Sequence, residues 1–429
     1  LLAARRQRIV LLRQPGRRAF RTARPEPLST QPSEIKGTAT MRFNATRFAA
    51  TLFVAACVTA TAGRAAAATQ DDLHDTVTRH IAPLMKQYAI PGMAIGIVAD
   101  GKPYVFDYGV MSTQTGKPVT GDTLFEIGSV SKTLTATLAA DAQEGGELSL
   151  ADPAGKYLPA VQGKPFGVVT LLNLGTHTPG GMPLQVPDSI RDDAGLIRYL
   201  EAWRPAYAPG TYRTYSNVAI GMLGWLTAKA MHKDFAALME QRLFPALGMT
   251  HTYINVPEVR QADYAQGYTQ DGKPIRMTGG MLWQPAYGVR TTAADLLRFV
   301  QANMGLIETA PRLQRALERT HTGYFRAGPL TQDLIWEQYP YPVALPTLLE
   351  GNSMKMLRDG IQATAIKPPL APSADTWINK TGSTNGFSTY VAFVPSKRIA
   401  IVMLANRSYP NEDRVKAAYG ILGALDGRR

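Results

Sequence analysis

Two hairpin signals at opposite ends of the chain constrain its folding more than any other feature. The run GMAIGIVADGKPYVFDYG (92–109) sets two β-rich stretches on either side of Asp100-Gly101, a pair suited to a two-residue turn with positive φ. Almost 280 residues later, FSTYVAFVP (387–395) and IAIVMLAN (399–406) form a second pair around Pro395-Ser396-Lys397. Each pair reads as two strands joined by a short turn. They predict one antiparallel sheet built from the two ends of the chain. Helical spacing at Leu73, Val77, Ile81, Leu84 and Tyr88 predicts a first helix, interrupted at Pro83. A last helix is expected from Asn411, with acids at 412 and 413 and Asn411 as its cap. Both helices are expected on one face of the sheet. Residues 150–300 hold helical patterns broken by Pro and Gly, with few strand signals. The expected fold class is therefore α+β: an antiparallel sheet flanked by helices, plus a largely helical lobe, with a groove between them.

The net charge of +13 first suggests an anionic partner. Its distribution argues otherwise, because residues 1–68 hold 12 Lys and Arg against 2 Asp and Glu. No basic helix with interleaved aromatics follows, so nucleic acid is not an expected partner. Within that leader, Met41 opens a secretory pattern: Arg42 and Arg47, an apolar run Phe48–Ala62, and an A-x-A-like site at Ala65–Ala68. The expected organisation is an upstream extension at 1–40, a signal peptide at 41–68 cleaved near Ala68, and a catalytic unit at 69–429. The rival reading is a transit peptide, since the segment is rich in Arg. The apolar run is too short for a good transmembrane span, so stable membrane insertion is not expected. The single cysteine, Cys57, lies in the leader. A chain starting at Thr69 has no thiol chemistry, disulfide or cysteine-ligated metal. VAAC (54–57) also loosely fits a lipoprotein box that would lipidate Cys57. The expected location is the periplasm.

The six histidines, at 74, 80, 177, 232, 251 and 321, include no pair at the i, i+4 spacing of a helical zinc motif. There is no phosphate-binding glycine loop and no G-x-S-x-G elbow. No metal or other cofactor is expected. Ser-Lys chemistry remains. In GSVSK (128–132), Ser129 and Lys132 stand three apart at a helix start and share a face. A lysine serves as base only when burial or nearby cations lower its pKa. Read alone, GSVSK is equally a capping serine beside a solvated lysine. Tyr215-Ser216-Asn217, in APGTYRTYSNVAIG, reads alone as a capping turn. Lys380-Thr381-Gly382, in NKTGSTNGF just before a strand, reads alone as a polar edge strand with a loop. Two lysines and a tyrosine converging on one serine would lower one another's pKa values and titrate as a coupled set.

The three motifs in that order resemble a class C serine β-lactamase, of the penicillin-binding-protein-like group. The similarity extends over FEIGSVSKTLTA, TLLNLGTHTPGGMPLQVPD, HTYINVP, AYGVRTT and IVMLANRSYPNEDRV, from about Thr69 to about Leu425. The resemblance implies a β-lactamase/transpeptidase-like fold and hydrolysis of the β-lactam amide through an acyl-enzyme, with a small-molecule β-lactam as substrate; a monomer is the default expectation. It implies that Ser129 is acylated, that Lys132 and Tyr215 carry protons, and that the N–H groups of Ser129 and Ser383 form the oxyanion hole. Lys380 and Thr381 would bind the substrate carboxylate, Gln185 and Asn217 its amide side chain, and Asn411 and Arg414 the carboxylate end. The chain departs from the common pattern at Asn379, Ser388, Ser408, Trp283 and Pro285, and in the stretch 344–360. Three rivals share the motifs: a D-alanyl-D-alanine carboxypeptidase, a family-VIII-type esterase and a non-catalytic penicillin-sensing domain.

Overall fold

A computed structural model describes residues 69–427. The upstream extension, the signal peptide and Cys57 lie outside the described residues. The Asp100-Gly101 signal is a two-residue turn: Ala99 pairs with Lys102, and both turn residues have positive φ (51° and 81°). It joins β1 (Gly92–Ala99) to β2 (Lys102–Gly109). At the other end, β9 (Ser388–Val394) and β10 (Ile399–Ala405) pair antiparallel through a turn closed by Arg398 at φ 52°. β10 then pairs with β1, Met93 opposite Ala405 and Val98 opposite Ala400. The two ends therefore share one sheet, as their patterns predict.

The sheet is wider than the sequence suggested. It has ten strands: besides the four above, five come from the middle of the chain and one lies directly beside β9. These are β3 (Tyr212–Arg213), β4 (Gly323–Ala327), β5 (Leu330–Gln332), β6 (Glu337–Pro340) and β7 (Ile361–Leu370). The tenth, β8 (Thr376–Ser383), carries the K-T-G triplet. The order is β2-β1-β10-β9-β8-β6-β5-β4-β7-β3, and all pairs are antiparallel. This corrects the expectation of a polar edge strand at 380–382. β8 is an interior strand between β9 and β6.

Alternation along the strands divides the apolar residues between two layers. Met93, Ile95, Ile97, Tyr390, Ala392, Ile401 and Met403 join one core with α1 (Gln70–Gln87) and the last helix, α5 (Asn411–Asp426). Ala94, Val98, Val391, Phe393, Val402 and Leu404 join the other with α4 (Ala293–Asn303). Thr69 caps α1 through a reciprocal box with Asp72. Asn411 does not cap α5. Pro410 occupies the cap position without a side-chain bond, and Asn411 is the first helical residue. Its side chain is thereby left at the groove rather than folded onto the helix end.

The helical lobe is centred on α2 (Ser131–Glu144) and α3 (Asn217–Ala230). α2 is buried on every side from Ser131 to Ala142. Leu134 and Leu138 enter the core shared with the sheet, while Ala136, Ala139 and Ala140 pack with Val218, Met222 and Leu226 of α3. Small side chains let α3 approach closely. The same helix thus fastens the two lobes and opens at the groove between them.

Candidate active site

The short strand Phe125–Glu126 delivers the chain to Gly128, whose φ of 51° turns it into a single 3₁₀ turn at Gly128–Val130 and then into α2. Ser129 lies in that turn and Lys132 in the first turn of α2. Lys132 is fully buried, and its Nζ donates to Ser129 Oγ (2.8 Å) and to the Ala286 carbonyl (2.7 Å). Burial above all, helped by Lys380 and against an opposing pull from Tyr215, lowers its ammonium pKa to about 8. The positive end of α2 acts in the same direction.

Tyr215 immediately precedes the cap of α3. Ser216 Oγ accepts from the Ala219 N–H (3.0 Å) and donates to the Pro183 carbonyl (2.6 Å), which fixes the chain entering the helix. The Tyr215 ring is buried, with Lys380 Nζ at 5.1 Å, Lys132 Nζ at 5.3 Å and the Arg213 guanidinium at 5.7 Å from its centroid. Burial alone would raise the phenol pKa. Lys132, Lys380 and a hydrogen bond with Ser129 together outweigh it, so the hydroxyl is lowered from its ordinary value.

Two glycines decide how close the lobes come. A Cβ on Gly128 would stand 2.5 Å from the Ser383 nitrogen, and one on Gly382 would stand 2.1 Å from the Ile127 carbonyl. Their absence lets the end of β8 lie against the Gly128–Val130 turn, with the backbone of Ser383 beside that turn. A cavity of about 200 Å³ opens there, lined by Ser129, Gln185, Tyr215, Asn217, Lys380, Thr381, Ser383 and Asn411. Asn217 Oδ1 is buried on this cavity with no partner among the described residues. It is an acceptor available to a ligand N–H. A larger cavity, about 630 Å³, lies on the far side of the segment 280–285 and contains none of these residues.

Arg414 does not line the cavity. It is buried behind β8, where Nη1 donates to the Gly382 carbonyl (2.8 Å) and the Thr389 carbonyl (3.3 Å) and Nη2 to the Tyr409 carbonyl. Burial lowers its pKa to about 10. It holds the K-T-G backbone from the rear. Sequence reasoning missed a second pair. Arg213 and Glu337 are both buried and joined at 2.7 Å, with Lys380 Nζ 3.8 Å from the same carboxylate oxygen. Arg213 also donates to Gln332 Oε1 (2.6 Å) and the Met356 carbonyl (2.8 Å). The pair bridges 124 positions of sequence, and the one available signal was a lysine in a cavity with no expected counter-ion. Two of the departures have local explanations. Asn379 Oδ1 accepts from Tyr390 (2.8 Å) and Asn352 (3.0 Å), and Ser388 Oγ accepts from the Tyr409 N–H (3.1 Å).

Sheet, helical lobe and a Ser-Lys-Tyr cluster at their junction define an arrangement of active-site serine hydrolase type. The β-lactamase family profile matches residues 77–426, and the chain belongs to that family. It is 50% identical over 351 residues to a β-lactamase of Lysobacter lactamgenus, covering 82% of this chain and 91% of that protein. Among solved structures it is similar to a D-alanine carboxypeptidase AmpC of Burkholderia cenocepacia: 84% identity, TM-score 0.81, 83% of this chain and 100% of the other. It is also similar to a class C β-lactamase solved with cefoxitin: 48% identity, TM-score 0.81, 82% of this chain and 99% of the other. No helix among the described residues is long and apolar enough to cross a membrane. Among the same residues no cluster of three His, Cys, Asp or Glu side chains could hold a metal ion.

Proposed function

We propose that the chain hydrolyses the amide bond of β-lactams through an acyl-enzyme on Ser129. The observation that carries this reading is the convergence of Lys132, Tyr215 and Lys380 on one serine at the mouth of a cavity. Ser129 Oγ attacks the lactam carbonyl while its proton passes to the Lys132–Tyr215 pair. The developing oxyanion is received by the N–H groups of Ser129 and Ser383. The C–N bond breaks, and the same pair returns the proton to the leaving nitrogen. Tyr215 then takes a proton from water, which attacks the ester, and Ser129 is regenerated as the acid leaves. Lys380 and Thr381 hold the substrate carboxylate. Gln185 and Asn217 hold the side-chain amide, and Asn411 borders the carboxylate end. Arg414 acts through the β8 backbone and not on the substrate. Residues 69–429 would form the exported, periplasmic catalytic unit, working as a monomer.

A carboxypeptidase activity on D-alanyl-D-alanine peptides is the second reading, favoured by the name of the relative at 84% identity. Both begin with acylation of Ser129 and differ in how fast water attacks the β-lactam ester. The test is turnover of a chromogenic cephalosporin by purified 69–429, beside Ser129→Ala and a D-Ala-D-Ala peptide. Multiple turnovers lost in Ser129→Ala are expected. A stoichiometric burst that stalls, with the peptide cleaved, would replace the first reading with the second.

A further inference from the structure

His177 takes no part in the chemistry above, yet it is built around Tyr215. It follows the short helix Leu171–Gly175 in THTPGG, is 1% exposed, and has a φ of 58°. A non-glycine residue in that region is uncommon and is held there by its surroundings. Those surroundings are specific. Thr178 donates its N–H to the Asn173 carbonyl (2.9 Å), and the Thr178 hydroxyl meets Thr176 Oγ1 (2.9 Å) and Asn173 Nδ2 (3.1 Å). His177 thereby meets three consecutive residues, Thr214 through its carbonyl and Tyr215 and Ser216 through its ring. The His177 carbonyl accepts from the Thr214 N–H (2.8 Å). Its ring lies 4.4 Å from that of Tyr215, and its Nδ1 accepts from the Ser216 N–H (3.2 Å).

We propose that His177 is the positioning residue of Tyr215, acting as a permanently neutral imidazole that clamps residues 214–216. Nδ1 can accept from Ser216 only when it carries no proton, so the ring proton sits on Nε2. Nε2 has no partner among the described residues. A second ring proton would break the clamp. It would also add a cation beside Arg213, Lys132 and Lys380, the charged groups that face this ring along with burial and hold it well below its ordinary pKa. The same lysines that lower Tyr215 thus keep its neighbour neutral, and Tyr215 stays between them. The role deepens the acyl-enzyme reading and rests on Tyr215 carrying protons there.

Two substitutions separate the clamp from simple packing. His177→Asn can keep an acceptor near the Nδ1 position, whereas His177→Phe keeps an aromatic ring and loses the acceptor. With a cephalosporin whose deacylation limits turnover, His177→Phe is expected to retain the stoichiometric acylation burst. Its kcat should fall about tenfold to a hundredfold, as for a misplaced catalytic group, and the acid limb of its kcat–pH profile should move to higher pH. His177→Asn should recover part of both. If His177→Phe lowers only the melting temperature, with kcat and the profile within twofold of the parent, the proposal is overturned. The unsubstituted protein supplies a second test, whether or not the variants fold. Nitrogen-15 spectra of labelled histidine should show an unprotonated Nδ1 and a protonated Nε2 for His177 from pH 8 to 5. Titration of that ring near 6.5 overturns the clamp. Absence of any β-lactam turnover in the parent would instead refute the functional reading, since the spectra do not depend on it.

Discussion

Gly382→Ala tests directly how the two lobes form the site. The new Cβ would stand 2.1 Å from the Ile127 carbonyl oxygen and 3.0 Å from the Val130 nitrogen, whereas real Cβ contacts almost never fall below 3.0 Å. Both obstacles are backbone atoms, so neither can rotate away. β8 and the nucleophile turn must separate by about 1 Å, a displacement that costs on the order of a hundredfold when it moves a catalytic group. The separation acts on the Ser383 N–H, and loss of one oxyanion donor costs about 10²–10³ in kcat. Both acylation and deacylation use that donor. Stopped-flow measurement with a chromogenic cephalosporin should therefore show kcat/KM and the acylation rate falling together by about a hundredfold. Stability should fall by only about 1–3 kcal/mol, the usual cost of overpacking, so the protein stays folded at 25 °C. Gly423→Ala is the control, because a Cβ there meets nothing within 4 Å on α5. A folded Gly382→Ala enzyme with kcat/KM within threefold of the parent would refute the argument that this glycine sets the distance between the lobes.

Lys132→Met should abolish turnover and raise the melting temperature measured at pH 7. A lysine depressed from 10.5 to about 8 binds its proton less well in the folded state. Below pH 8 its burial opposes folding by up to about 3 kcal/mol at 1.36 kcal/mol per pKa unit. Removing that charge offsets the two lost hydrogen bonds. Glu337→Gln should lower stability by about 3–5 kcal/mol in chemical denaturation, because it leaves Arg213 and Lys380 buried without their shared carboxylate. Arg414→Met should cost about 2–4 kcal/mol by the same measurement, since it strips hydrogen bonds from three buried carbonyls. Its kcat/KM should fall while the burst stoichiometry is kept, because the residue acts on β8 and not on the substrate. His321 is buried and its pKa is lowered to about 4 by desolvation. The unfolded chain therefore takes up this proton first as pH falls. Denaturation midpoints should drop between about pH 6.5 and 4, and His321→Gln should flatten that slope.

The parts of this molecule legible in the sequence are those governed by local rules. Asp100-Gly101 specifies its own turn, and the helical periods of 73–84 and 415–425 specify a buried face wherever they dock. The serine, lysines and tyrosine were legible as chemistry because motif spacing survives without knowledge of the fold. What was not legible depended on distant partners. β8 reads as an edge strand because Asn379, Lys380 and Thr381 are polar, yet Asn379 and Lys380 are buried. Their polar atoms are satisfied by Tyr390, Asn352 and Glu337 on other strands and on a helix. Arg414 looks like a surface arginine on a helix until the Gly382 carbonyl is placed beneath it. Asn411 looks like a cap, but Pro410 takes that position. Nothing near His177 in the sequence announces Tyr215 as its neighbour.

The pairing of β1 with β10 also has a consequence for the order of events during synthesis. The β1–β2 hairpin leaves the ribosome early, and its second edge has no partner until residues 399–405 follow. At 5–20 residues per second this wait lasts roughly 15–60 s. Throughout it, an apolar strand with an open edge is exposed to other chains. The N-terminal part cannot finish folding on its own, and truncation a few dozen residues from the end removes the partner of its first strand. A nascent chain of this design is best kept unfolded until its last helix is complete. Closure of the sheet by residues 399–405 is then the step that commits the protein to its native form.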